Sequence, residues 1–150
     1  MERKTAVVIL MADDDADDRE MTKEAFAVSR LANDLRFVVD GVELMDYLKR
    51  RGKYIDPAKS PRPGIILLDL NMPKKDGREA LAEIKADPEL QRIPVVILTT
   101  SKQEEDIYRS YQLHANSYIT KPVTFEQLVQ VVSALGKYWL EIVELPEHAA

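Results

Sequence analysis

Cysteine is absent from all 150 residues, so neither a disulfide framework nor a thiolate metal site is open to this chain. Histidine is almost absent. The two, His114 and His148, stand far apart with no ligand-spaced partner, and both read as surface residues. Long apolar runs are missing as well. Met1-Glu2-Arg3-Lys4 leads into a stretch of strand size, too short for a secretory signal or a membrane span. No excess of basic residues exists: 21 Lys and Arg face 26 Asp and Glu, and the net charge of −5 disfavours nonspecific attraction to nucleic acid or anionic membrane. A cytoplasmic protein that binds neither is the expectation. There is no internal repeat and no second-domain boundary. A chain of this size fits one domain, 1–150, with a core over about 5–137 and a helix extension and tail over 138–150.

What is present alternates strand and helix signals. The apolar runs Ala6 to Ala12, Gly64 to Leu68, Pro94 to Leu98 and Ser117 to Thr120 are strand-sized and continuous, as in a parallel sheet covered on both faces. A shorter strand is expected over Leu35 to Val39. Helices are expected over Asp17 to Val28 (Met21, Ala25 and Val28 inward), Val42 to Arg51 (Val42, Met45 and Leu48 inward), after Gly77, from Ser101 to Ala115, and from Thr124 onward. Ser101 with Glu104 and Thr124 with Gln127 form capping boxes. Gly52 to Gly64, with three prolines and no periodicity, reads as a loop. Five strands alternating with five helices imply an α/β, doubly wound fold.

The strand ends carry the chemistry. Of the five expected strands, the first ends in Asp13-Asp14-Asp15, the third in Asp69, the fourth in Thr99 and the fifth in Lys121-Pro122. In a doubly wound sheet these carboxyl ends lie along one edge. Two carboxylates ~4 Å apart repel by roughly 4 kcal/mol at an effective dielectric near 20. A divalent cation removes the conflict, and an all-oxygen ligand set suits magnesium, manganese or calcium rather than zinc. Residues 13 to 18 lack the turn glycine and spacing of a calcium loop, so magnesium fits best, with manganese in its place. Lys121 offers a fixed positive charge and Thr99 a hydroxyl donor, a set suited to a carboxylate that becomes a phosphoanhydride. Asp15 reads as a helix cap and Asp17 and Asp18 as first-turn acids.

Asp13-Asp14, Asp69-Leu70-Asn71-Met72-Pro73, Thr99 and Tyr118-Ile119-Thr120-Lys121-Pro122 together resemble the receiver domain of two-component response regulators, over about Thr5 to Leu135. The resemblance implies the flavodoxin-like strand order 2-1-3-4-5, which the sequence alone does not supply. It implies Asp69 as phosphoacceptor. Asp14, Asp13, Asp69 and the Asn71 carbonyl would be metal ligands, Thr99 and Lys121 the phosphoryl-binding pair, and Thr99 and Tyr118 the switch. Leu98-Thr99-Thr100-Ser101, Ala115-Asn116-Ser117-Tyr118, Tyr138-Trp139-Leu140 and the long connection before the third strand are similar to stand-alone regulators paired with phytochrome-type histidine kinases. Such a kinase is the expected partner.

The last helix carries two overlapping apolar stripes, Phe125, Leu128, Val132, Leu135, Trp139 and Ile142 on one face and Leu128, Val131, Leu135, Tyr138, Ile142 and Leu145 on the adjacent one. One stripe can cover the sheet; both together are wider than that task needs. A homodimer through the strand-four, strand-five and last-helix face is expected, with Phe125, Val132, Tyr138, Trp139 and Ile142 on it. Two rival functions remain at this point. An aspartyl-nucleophile phosphohydrolase usually carries its nucleophile after the first strand, with a second aspartate two positions later; here that place holds Asn71. A degenerate receiver acting only as a binding module would not need the whole set of site residues.

Overall fold

The computed structural model describes residues 7–29, 34–70, 72, 74–75, 77–99, 117–120 and 124–135. Each apolar run becomes a strand: β1 Val8–Ala12, β2 Asp34–Val38, β3 Ile65–Asp69, β4 Val95–Thr99 and β5 Ser117–Thr120. All pair in parallel in the order β2-β1-β3-β4-β5, so the expected topology holds. Four described helices flank them: α1 Ala16–Val28, α2 Gly41–Lys49, α3 Gly77–Ala86 and α4 Phe125–Leu135. The helix expected over 101–115 and the extension beyond residue 135 lie outside the described residues.

The continuous apolar runs are explained by two buried faces. Leu10, Ile66, Leu68 and Ile97 point toward α2 and α3, meeting Leu44, Met45, Leu81 and Ile84. Ile9, Met11, Ile65, Leu67, Val96 and Leu98 point the other way, meeting Ala25 and Phe26 of α1 and Val132 of α4. Every β3 residue is buried, the sign of a central strand.

Helix faces depart from the sequence expectation. On α1 the buried residues are Thr22, Ala25 and Phe26, while Met21 is only half-buried and Val28 is exposed. Thr22 tolerates burial because its hydroxyl donates to the Asp18 carbonyl at 2.8 Å. On α2, Val42 is exposed, and Leu44 and Tyr47 join Met45 and Leu48 inside. The connection 52–64 is more ordered than its prolines suggested. It holds two short 3-10 turns and is tied to α2 by Tyr47 donating to the Pro61 carbonyl and Arg62 to the Leu48 carbonyl, both at 2.7 Å.

Candidate functional site

Strand register brings the acids together. Ala12 pairs with Leu68, so Asp13 and Asp69 are the next residues on neighbouring strands. Asp69 pairs with Leu98, and Thr99 with Thr120, so the ends of β4 and β5 continue the same edge. Carboxylate oxygens of Asp13, Asp14 and Asp69 all lie within 4.8 Å of one another. Asp13 and Asp69 are buried, and Asp14 is exposed to solvent. Two walls of the cluster are thus protein and one side is open, which suits a cation that keeps water ligands.

The corner between β1 and α1 is locked by a ladder of hydrogen bonds. The Asp13 main-chain N–H donates to the Val38 carbonyl at 3.1 Å. Asp13 Oδ1 accepts from the Asp15 N–H at 2.9 Å, and Asp15 Oδ1 accepts from the N–H groups of Asp17 at 2.8 Å and Asp18 at 3.3 Å. Asp15 is therefore the helix cap, as expected. Arg19, one turn into α1, donates to the Asp13 carbonyl at 2.7 Å and clamps the same corner. The sequence reading did not single out Arg19; its only signal was a lone base among first-turn acids.

Gly77 fixes the other side. A Cβ built there would lie 2.7 Å from the Asp69 carbonyl oxygen and 2.6 Å from Leu70 Cα, so only glycine lets α3 start this close to the Asp69 main chain. Its N–H donates to the Leu70 carbonyl at 3.0 Å, closing the loop that leaves β3.

Asp13, Asp14 and Asp69 are thus brought together as expected. Thr99 and Tyr118 are placed by their backbones on β4 and β5. Asn71, Lys121, Tyr138, Trp139 and Ile142 lie outside the described residues. One expectation is corrected. Val132 is 1% exposed and packs among Met11, Leu67 and Leu98, and Phe125 is half-buried against the same cluster. This stripe covers the protein's own sheet because α4 packs beside α1, where Ser29 and Ser133 hydroxyls lie 3.2 Å apart.

With this geometry in hand, three similarities stand out. A family model described as "Response regulator receiver domain" matches residues 9–133. The chain is 47% identical over 139 residues to response regulator Rcp1 of Synechocystis sp., covering 93% of this chain and 92% of that protein. Among solved structures, the phosphorylated cyanobacterial phytochrome response regulator RcpA is 48% identical with a TM-score of 0.81, covering 92% of this chain and 96% of that one. The Mn(2+)-bound form of Rcp1 is 46% identical with a TM-score of 0.77, covering 90% and 95%.

Proposed function

Because this chain belongs to the response regulator receiver domain family, we propose that it carries its signal as a phosphoryl group on Asp69. The family is one of signalling phosphoacceptors rather than enzymes of the usual kind, the similar RcpA is a phytochrome response regulator, and a receiver implies a histidine kinase partner. The observation that carries the assignment is the meeting of three carboxylates at two neighbouring strand ends.

In the transfer, an Asp69 carboxylate oxygen attacks phosphorus. The O–P bond forms as the N–P bond to the kinase histidine breaks, and the imidazole nitrogen keeps the electron pair and takes up a proton. Asp13, Asp14 and Asp69, with the Asn71 carbonyl, would hold magnesium, or manganese as in the similar Rcp1. When bound, such a cation neutralises charge on the entering phosphoryl group and on the acids around it. Thr99 is proposed to donate to the transferred group, Lys121 to pair with it, and Tyr118 to respond. Asp69 closes β3, the central strand of the sheet, with Asp13 beside it at the end of β1.

The likeness to RcpA supports a phytochrome-type kinase upstream, and a cytoplasmic location accords with such a partner. Among the described residues no helix is long and apolar enough to cross a membrane. Self-catalysed phosphorylation and dephosphorylation, without substrate turnover, complete the proposal. So does a homodimer through the strand-four, strand-five and last-helix face using Tyr138, Trp139 and Ile142; light-scattering mass tests it, and a monomer with and without residues beyond 137 would overturn it.

The deciding experiment incubates the chain with magnesium and acetyl phosphate. Wild type is expected to gain one hydroxylamine-labile phosphoryl group and Asp69→Asn none. Equal labelling of the two would refute the assignment. Sustained turnover of a small phosphoester would favour a phosphohydrolase instead.

A further inference from the structure

We infer that the start of α2 is a positioning element for the loop that follows the phosphoacceptor, acting through Asp40, Gly41 and Lys74. The inference rests on the phosphoacceptor assignment above and adds residues that assignment does not use. The loop from Leu70 to the start of α3 contains Asn71, whose main-chain carbonyl is the proposed fourth metal ligand. A main-chain ligand cannot be aimed by a rotamer; only the path of the loop aims it.

Two observations place that path on α2. A Cβ at Gly41 would lie 2.0 Å from the Lys75 carbonyl oxygen and 2.7 Å from its carbon, so loop backbone rests directly on the first residue of the helix. The neighbouring Asp40 is 5% exposed, accepts from the Glu43 N–H at 2.8 Å and stands 3.5 Å from the Lys74 ammonium. Lys74 itself sits at φ 67°, a left-handed conformation unfavourable for a lysine that persists only where its surroundings impose it. Behind these contacts α2 is anchored by Leu44, Met45 and Leu48, each 2% exposed or less. The core, the helix start and the loop residues Lys74 and Lys75 are thus joined by one series of contacts. Lys75 adds a further tie through its ion pair with Glu83 on α3.

The charge pair alone is modest, because Lys74 is 68% exposed and solvent screens it. The backbone contact at Gly41 is the stronger constraint, since no flexible side-chain end is available to yield. Disturbing this seat should weaken metal binding at the loop while leaving Asp69 chemically intact.

The test is a magnesium titration of labelling by acetyl phosphate on the full chain, beside thermal melts of each variant. Support for bound metal from outside the ligand set is commonly worth about tenfold or more in affinity. Gly41→Ala should raise the half-saturating magnesium about tenfold, and Asp40→Asn or Lys74→Gln about threefold. The Asp40→Asn, Lys74→Gln double variant should be no worse than either single, as expected of one shared contact. Label at saturating magnesium should return to the wild-type level in all of them. If Gly41→Ala does not fold, the Asp40 and Lys74 variants decide. Unshifted magnesium dependence in every folded variant, or label lost equally at every magnesium concentration, would overturn the inference. Absence of label on the wild type would instead sink the phosphoacceptor assignment.

Discussion

Neutralising Asp69 should stabilise the metal-free protein. Its carboxylate oxygen lies within 4.8 Å of one oxygen each from Asp13 and Asp14. At that separation two unit charges repel by roughly 3.5 kcal/mol at an effective dielectric near 20. Asp69 faces two such partners, but Asp14 is exposed and water screens much of its share. A net relief of about 2 kcal/mol on Asp69→Asn is a conservative expectation, equivalent to ~4–8 °C in melting temperature for a chain of this length. The substitution keeps the side-chain shape and leaves the close approach of Gly77 to the Asp69 main chain untouched. Circular-dichroism melts in excess chelator should show the variant unfolding above wild type. Excess magnesium should raise the wild type and move the variant much less, because one of its charged ligands is gone. A variant that melts at or below wild type in chelator would refute the claim that these acids oppose one another.

Two further outcomes follow from the packing and the ionisation of the fold. Leu68, fully buried on the α2–α3 side of β3, should cost about 2–5 kcal/mol when cut to alanine, read by urea denaturation; a loss under about 1 kcal/mol would contradict the packing described. Glu43 should make the protein acid-sensitive. Partial burial pushes its carboxyl up, but hydrogen bonds from Tyr54 at 2.6 Å and the Val39 N–H at 2.8 Å, with Lys53 at 3.1 Å, outweigh that and hold it below its ordinary 4.5. A depressed carboxyl contributes stability above its unfolded value and loses it as pH falls through the folded one. Stability should therefore decline below about pH 4.5, and Glu43→Gln should flatten the decline; parallel pH curves for the two proteins would refute it.

The sheet and its acidic edge were legible in the sequence for a plain reason. Strands buried on both faces, such as Ile65 to Leu68, must be wholly apolar, so a terminal Asp69 stands out against them. Asp15 was readable as a cap because capping is local. Helix faces were harder. Val28 and Val42 continue the apolar spacing yet are exposed, while Thr22 is buried with its hydroxyl satisfied inside the helix. Periodicity counts apolar residues and is blind to a polar side chain that satisfies itself. Val132 was misassigned for a related reason: two stripes overlap on one helix, and spacing does not show that Val132 is buried in the domain's own core beside Leu128 and Val131. The contact of Gly41 with Lys75 was invisible because it joins segments that the sequence presents apart.

The ladder from Asp13 through Asp15 to the first turn of α1 has a further implication. The side chain that orders the corner and the side chain that starts the helix are successive rungs, so the number of residues between Ala12 and Ala16 is quantised. Adding or deleting one there would not merely lengthen a turn. It would present a different acid to β3 and rotate the helix start by about 100° at the same stroke, so this corner can vary in side chain but scarcely in length.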